Sequence, residues 1–311
     1  MSEPLAFLFP GQGSQAVGMG KDLCSDFAVA REVFAEADGV LGFALSELCF
    51  NGPAQELTLT ANTQPALLTI SYALTRVLDD DMGLEPRWTA GHSLGEFSAL
   101  VAAGAIGFAA ALRVVRERGL AMQDAVPPGV GSMAAILGLD RTRIDEVCES
   151  AAQGQVVSAA NLNGGGQVVI AGHREAVERA GALAKARGAK RVVPLAVSAP
   201  FHCALMQPAA DRLQRVLEAI PVAPLQCPVI SNVEATPYND AGRVKELLVR
   251  QVVSPVRWQE SIEELARLGC TAAIEVGPGR VLTSLVRRIA PQIRCTPAED
   301  LDAVRAMAGA A

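Results

Sequence analysis

The stretch Trp88-Thr89-Ala90-Gly91-His92-Ser93-Leu94-Gly95 decides the fold class of this 311-residue chain. Trp88 to Ala90 are the end of a short apolar strand, and Leu94 to Ala105 predict a buried helix. The Gly-X-Ser-X-Gly pattern between them is typical of a nucleophile elbow, where two glycines let strand and helix approach and expose the serine. The sequence therefore predicts an α/β fold with Ser93 as nucleophile. The N–H of Leu94, at the positive end of that helix, is a candidate oxyanion donor.

Helices and strands alternate on both sides of the elbow. Leu5 to Phe9 predict a buried strand that Pro10 and Gly11 end, and Gly277-Pro278-Gly279 open a last helix. Further helices are predicted over 25–50, 64–80, 108–125, 204–219, 257–268 and 280–290, and further strands over 228–231 and 272–276. This alternation favours a hydrolase-like α/β core with a largely parallel sheet.

A segment with a different sequence pattern interrupts this core. The turn-forming stretch Val126 to Gly131 precedes runs that predict strands and helices in the order βαββαβ, which is the ferredoxin-like pattern. The strands fall at 132–138, 156–161, 167–172 and 191–197, and the helices at 140–152 and 174–188. We therefore predict a ferredoxin-like subdomain over 128–197, inserted into one large domain made of 1–127 and 198–311.

Composition excludes several classes of protein. Half of the residues are apolar and 19% are charged, which excludes a disordered chain. The balance of 27 basic and 33 acidic residues argues against nucleic-acid binding. No apolar run is long enough to cross a membrane, and the N-terminus does not resemble a signal peptide. Seven scattered cysteines without a CxxC motif favour a reducing, cytoplasmic location and no metal site.

A serine nucleophile needs a base, and the chain has only three histidines. His92 adjoins Ser93, so its side chain is expected to point elsewhere. His173 ends a strand of the small subdomain, where a surface or capping role is the simpler interpretation. His202 lies where the chain re-enters the large domain and is the best candidate, with a buried structural histidine as the alternative.

Two further segments bear on the site. The loop Pro10-Gly11-Gln12-Gly13-Ser14-Gln15 follows an early strand, so it is either a plain glycine turn or the source of a second oxyanion N–H. A dinucleotide-binding role is rejected because a helical pattern follows it. Arg118 lies beside an apolar run, and a buried guanidinium requires a planar anionic partner such as a carboxylate.

Six motifs now match one known family in order and spacing. The chain resembles the malonyl-CoA:acyl carrier protein transacylases of the discrete bacterial type over roughly residues 4–292. The motifs are PGQGSQ at 10–15, GHSLGE at 91–96, RGLAMQDAVP at 118–127, FHCALM at 201–206, QVVSPVRW at 251–258 and EVGPGRVL at 275–282.

The resemblance implies a ping-pong transfer of malonyl from coenzyme A, through a serine ester, to the phosphopantetheine thiol of an acyl carrier protein. It implies Ser93 as nucleophile, His202 as general base and Arg118 as partner of the malonyl carboxylate. The backbone N–H groups of Gln12 and Leu94 would form the oxyanion hole. It also implies that Gln251 orients the histidine, with no cofactor beyond the coenzyme A thioester, which is a substrate.

The chain departs from the family at two places. Gly164-Gly165-Gly166 stands where a Ser-Pro pair is usual, which loosens a loop near the cleft. Phe201 stands where several discrete bacterial members have serine, and phenylalanine there is consistent with selection of malonyl.

Other activities share these motifs. A polyketide or malonate decarboxylase system differs only in the acceptor protein, and a serine esterase or thioesterase shares the elbow and the base.

An acidic carrier protein needs a local basic patch on a chain of net charge −6. We expect docking near Lys185, Arg187, Lys190 and Arg191, with the pair Arg287 and Arg288 as the alternative.

Overall fold

A computed structural model describes residues 4–197 and 199–308, and its strands form two sheets. The strands are β1 Leu5–Phe9, β2 Trp88–Gly91, β3 Gly131–Leu137, β4 Val157–Gly164, β5 Gln167–His173, β6 Arg191–Pro194, β7 Val229–Ile230, β8 Pro237–Tyr238, β9 Ala272–Val276 and β10 Arg294–Ala298. The helices are α1 Lys21–Asp26, α2 Ala28–Leu41, α3 Leu45–Asn51, α4 Ala54–Thr58, α5 Thr60–Met82, α6 Gly95–Ala102, α7 Phe108–Asp124, α8 Arg141–Ala152, α9 Arg174–Ala186, α10 Gln207–Glu218, α11 Val244–Val253, α12 Trp258–Arg267, α13 Val281–Ile289 and α14 Leu301–Ala308.

The large sheet has the order β10-β9-β1-β2-β7-β8 and is parallel except for the last pair. Its central strand β1 alternates between two cores, as a strand covered on both faces must. Phe7 and Phe9 pack with α2, α5, α6 and α7, whereas Ala6 and Leu8 pack with α12 and α13. The predicted α/β class with a largely parallel sheet is confirmed, and the site lies at the carboxyl ends of β1 and β2.

The small sheet has the order β4-β5-β3-β6 and is antiparallel. With α8 and α9 it has the strand order and βαββαβ succession of a ferredoxin-like unit, around an apolar core of its own. The antiparallel subdomain expected from the sequence is therefore present. Its predicted limits, 128 and 197, stay a prediction, and Ser198, the first residue of the predicted re-entry, lies outside the described residues.

The small sheet is joined to the rest of the chain along β4. The Leu162 N–H donates to the Val256 carbonyl oxygen at 2.8 Å, and the Val256 N–H donates to the Ala160 oxygen at 2.9 Å. Val256 belongs to the segment between α11 and α12 of the large domain. Two backbone hydrogen bonds thus fix the subdomain beside the carboxyl ends of the parallel strands.

The end of the chain differs most from the prediction. The helix predicted as the last one, α13, is followed by β10 and α14. Glu275, at the end of β9, accepts hydrogen bonds from the N–H groups of Leu282 and Thr283 at 2.9 and 2.7 Å, so it caps α13. The helical region predicted over 25–50 is divided among the separate helices α1, α2 and α3. Gly42 ends α2 with a positive φ of 72°.

Within the described ranges, no helix is both long and apolar enough to span a bilayer.

Candidate active site

The elbow is shaped by two close backbone contacts. A Cβ atom on Gly91 would lie 1.9 Å from the carbonyl group of Gly95, and one on Gly95 would lie 2.1 Å from the Phe9 oxygen. Ser93 sits between them with φ 54°, a conformation that is costly for a serine. The side chain of Asn232, which follows β7, supports this turn. It accepts from the Ser93 N–H at 2.7 Å and donates to the Gly91 oxygen at 2.6 Å.

Ser93 and His202 form a hydrogen-bonded dyad. The distance from Ser93 Oγ to His202 Nε2 is 2.7 Å, and His202 Nδ1 lies 2.8 Å from the backbone oxygen of Gln251. A carbonyl oxygen can only accept, so Nδ1 carries the proton and Nε2 is free to accept from the serine. Burial, followed by the charge of Arg118, lowers the pKa of His202 to about 3. The imidazole is therefore neutral at physiological pH, as a base must be.

Arg118 reaches the dyad from α7. Its guanidinium is buried, and a Cβ on the next residue, Gly119, would lie 2.7 Å from Ala61, so α7 packs closely on α5. Nη1 donates to Gln64 Oε1 at 2.8 Å, and Nη2 donates to Gln251 Oε1 at 2.8 Å and to Ser93 Oγ at 3.2 Å. These partners are neutral, and the buried Nε–H donates to no described residue. Among the described residues Arg118 thus has no carboxylate as a hydrogen-bond partner, and the malonyl carboxylate that the resemblance assigns to it would come from the substrate.

One acidic side chain, that of Glu96, is linked to Arg118 through Gln251. Glu96 is fully buried on α6 and accepts from Gln251 Nε2 at 2.7 Å. Burial raises the pKa of Glu96 to about 8, and the hydrogen bond from Gln251 and the charge of Arg118 only partly oppose this. Gln251 therefore connects Glu96, Arg118, His202 and the backbone oxygen of Ser93, to which its Nε2 donates at 2.9 Å.

The two predicted oxyanion donors belong to neighbouring turns. The N–H groups of Gln12 and Leu94 donate to no described residue, and Leu94 is the N-cap of α6. Gly11 brings the Gln12 loop against the elbow, since a Cβ there would lie 2.5 Å from the His92 oxygen. The side chain of Gln12 donates to Thr60 Oγ1 at 3.1 Å.

These groups share one small pocket of about 100 Å³. Arg118 and Phe201 line it together with Ser93 and His202, and Leu195 and Val197 close it from the subdomain side. Further lining side chains are Gln12, Gln64, His92, Leu94, Met122, Met133 and Asn161. A larger cavity of about 900 Å³ lies at the other end of β1 and β9, beside α14, away from this chemistry.

The other two histidines lie apart from the dyad. His92 points away from Ser93, as expected, and its Nε2 lies 2.9 Å from Asn163 Oδ1 on β4. His173 Nδ1 accepts from the Val156 N–H at 2.9 Å, inside the subdomain. Neither imidazole reaches the serine.

One residue of each basic cluster lies beside the Gly164-Gly165-Gly166 turn. All three glycines have a positive φ, and a Cβ on Gly165 would lie 3.3 Å from the Arg288 side chain. Lys190 lines a depression of about 630 Å³ beside this turn. The turn lines that depression and not the Ser93 pocket. Lys185, Arg187, Lys190, Arg191, Arg287 and Arg288 are all exposed, and Arg187 forms an ion pair with Glu146 at 3.3 Å.

Over 4–197 and 199–308, no group of three or more His, Cys, Asp or Glu side chains could hold a metal ion.

Comparison with known protein families gives the class to which this chain belongs. The profile of the acyl transferase domain family matches residues 6–305, and the chain belongs to that family.

The individual relatives carry more specific names than the family. The chain is 52% identical over 301 residues to the malonyl CoA-acyl carrier protein transacylase of Escherichia coli K12, which covers 97% of both chains. The crystal structure of an acyl carrier protein S-malonyltransferase from Vibrio cholerae superposes with a TM-score of 0.95 at 50% identity, covering 98% of this chain and 100% of that one. A malonyl-transacylase solved with its type II polyketide synthase acyl carrier protein gives a TM-score of 0.97 at 50% identity over the full length of both.

Proposed function

We propose that the protein transfers a malonyl group from coenzyme A to the phosphopantetheine thiol of an acyl carrier protein. The carrying observation is the buried Arg118 beside Ser93 Oγ, with its Nε–H unpartnered among the described residues. A carboxylate can accept from Nε and Nη2 together, which is the bidentate geometry that arginine favours. Malonyl carries such a carboxylate and acetyl does not.

In the first half-reaction, Ser93 Oγ attacks the thioester carbon while His202 Nε2 takes its proton. The N–H groups of Gln12 and Leu94 donate to the oxygen that becomes negative in the tetrahedral intermediate. The carbon–sulfur bond then breaks, and the coenzyme A sulfur takes the proton from the imidazolium. The products are the malonyl ester of Ser93 and free coenzyme A.

The second half-reaction reverses these steps with a new thiol. His202 removes the proton of the phosphopantetheine thiol, the sulfur attacks the ester, and Ser93 leaves with the proton. One neutral imidazole serves both halves, which the 2.7 Å dyad distance and the low pKa of His202 support.

The acceptor is a carrier protein of fatty acid synthesis in this proposal. A polyketide carrier is the second candidate, because a solved relative at 50% identity was determined with one. A malonate decarboxylase carrier would use the same residues. Simple hydrolysis is disfavoured because an esterase has no need of a buried arginine at the serine.

We propose further that the carrier docks at the basic residues near the triple-glycine turn. Lys185, Lys190 and Arg191 are exposed and form no ion pair within the described part of the chain, whereas Arg187 is partly compensated by Glu146. Arg288, whose side chain lies beside Gly165 of the same turn, would add a further positive charge to this docking site. A cytoplasmic location is also part of the proposal, because all seven cysteines carry free thiols.

The deciding experiment incubates the protein with malonyl-CoA, acetyl-CoA and methylmalonyl-CoA and identifies the acyl group on Ser93 by mass spectrometry. We expect malonyl to dominate and Ser93→Ala to remain folded and unlabelled. Wild-type labelling of the alanine variant would overturn the nucleophile. Adding purified fatty acid, polyketide and malonate decarboxylase carriers to the labelled enzyme then separates the acceptors, and loss of the label to water alone would indicate an esterase.

A further inference from the structure

Glu96 is a buried acidic residue that takes no part in the proposed reaction steps. It lies on the first turn of α6, three residues after the nucleophile, and is 0% exposed. Its Oε2 accepts from Gln251 Nε2 at 2.7 Å and, at 3.4 Å, from the Asn232 N–H. Its Oε1 has no hydrogen-bond partner among the described residues. Burying an acidic side chain whose Oε1 has no partner costs free energy, so Glu96 is a candidate for a role in the site.

The amide of Gln251 could in principle take two orientations. In the observed one, Nε2 donates to two acceptors, Glu96 Oε2 and the Ser93 oxygen, and Oε1 accepts from Arg118 Nη2 at 2.8 Å. The Asn232 N–H also donates to Glu96 Oε2, so the proton of a neutral Glu96 lies on Oε1 and Oε2 remains an acceptor. Turned by 180°, the amide would direct an NH₂ group at the guanidinium and its oxygen at two acceptors, Glu96 Oε2 and the Ser93 oxygen. Glu96 is therefore one of the two acceptors that keep the Gln251 amide in the orientation with Oε1 toward Arg118.

We propose that Glu96, in its neutral form, is a positioning residue that fixes the Gln251 amide and so holds Arg118 with an uncharged partner. The guanidinium charge then stays available to the acyl carboxylate. An ionised acid at this place would compensate Arg118 in advance and weaken selection of malonyl over acetyl. This inference rests on the proposed function.

The surroundings favour the neutral acid. The Oε1 atom without a donor would be an uncompensated anionic oxygen in a dry interior, which is disfavoured. The titratable groups that act on it from neighbouring elements are Arg118 on α7 and Tyr238 on β8, whose own pKa is raised by burial and by Glu96. A pKa of about 8 for Glu96 means that the acid ionises as the pH rises beyond that value.

The test measures KM and kcat for Ser93 acylation with malonyl-CoA and acetyl-CoA between pH 6.5 and 9. In the wild type, KM for malonyl-CoA should rise several-fold above about pH 8, while KM for acetyl-CoA stays level. Glu96→Gln, which cannot ionise, should keep the malonyl KM level across the range. Glu96→Ala, which frees the Gln251 amide, should raise the malonyl KM roughly tenfold or more at every pH and leave acetyl little changed.

Ser98→Ala is the matched control. It removes another buried, unpartnered hydroxyl from α6 that does not contact Gln251, and it should follow the wild type throughout. Equal losses for malonyl and acetyl in Glu96→Ala would make Glu96 merely structural. A level wild-type malonyl KM, or a Glu96→Gln profile that still bends, would overturn the neutral-acid role. If Glu96→Ala does not fold, the Glu96→Gln profile decides, whereas a wild type that takes up no acyl group overturns the proposed function itself.

Discussion

The elbow and the arginine cluster meet at the same serine but are built in opposite ways. The elbow consists of five consecutive residues whose geometry is enforced by backbone contacts of Gly91 and Gly95. The arginine cluster joins residues that are 25, 54 and 133 positions apart in the chain, through side-chain hydrogen bonds to Arg118. If the proposed roles hold, reactivity is inseparable from the fold, whereas selection of the acyl group depends on side chains that can be replaced. Changes to the elbow should then abolish both stability and acylation, and changes to the arginine cluster should alter only the choice of acyl group.

The largest effect is expected at the elbow. Gly95→Ala places a Cβ about 2 Å from the Phe9 oxygen, in backbone that cannot move without separating β1 from α6. We expect about 3 kcal/mol or more of lost stability and no acylation. Urea unfolding and mass spectrometry measure the two. Gly39→Ala, on α2 with open space around it, should instead gain about 0.5–1 kcal/mol. A Gly95→Ala variant of normal stability and activity would show that the elbow tolerates a wider turn.

Loss of the proposed general base, His202, should give the second-largest effect. His202→Ala should slow both half-reactions by about 10²–10⁴, because one imidazole serves each of them. Rapid-quench measurements with malonyl-CoA, and then with carrier protein and pre-labelled enzyme, check both. His173→Ala is the control and should leave both rates unchanged. The reverse pattern would move the base to the subdomain.

Arg118→Ala tests whether selection can be separated from reactivity. Loss of a buried charge partner costs about 3–5 kcal/mol, so kcat/KM for malonyl-CoA should fall by roughly two to four orders of magnitude. For acetyl-CoA the fall should be far smaller. Arg116→Ala on the same helix removes hydrogen bonds to Ala61 and Asn62 and should leave the preference intact. A common loss for both substrates in Arg118→Ala would mean that the cluster supports the fold and not the choice.

The smallest effect belongs to the carrier surface. Changing Lys190 and Arg191 together to alanine should raise KM for the carrier protein about three- to tenfold at low salt and flatten its salt dependence. The malonyl-CoA half-reaction should not change. Arg113→Ala and Arg215→Ala together, at exposed arginines of α7 and α10, remove the same number of charges and control for net charge. Unaltered carrier kinetics in the double variant would remove this surface from the docking site.

The same contrast explains what the sequence could predict. The elbow and the βαββαβ order are local patterns, so they emerged from residue types and spacing. By contrast, the helices α11 and α14 and the edge strand β10 were not predicted, because short elements carry little periodicity of their own. In addition, β10 and α14 follow α13, which was predicted to be the last helix.

In the site, Asn232, Gln64 and Glu96 were missed. Their roles arise from contacts 54 to 155 residues apart, which periodicity cannot show. A signal did exist for Glu96, since it is the single charged residue in the apolar helix α6. The sequence and the resemblance assigned Arg118 an anionic partner, but they could not show that Gln64 and Gln251 hold its guanidinium, a detail that only tertiary packing decides.

The backbone hydrogen bonds between β4 and Val256 have a consequence for association. The outer strand of an open sheet is a template on which another chain can add a strand. In the small sheet, β4 has its outer side engaged by Val256. The opposite edge, β6, is only four residues long, begins with Arg191 and ends with Pro194. Neither edge of the small sheet is therefore an open site for the addition of a strand from another chain. A carrier protein that docks on this subdomain, as proposed, would then be held by contacts between side chains and not by an added strand.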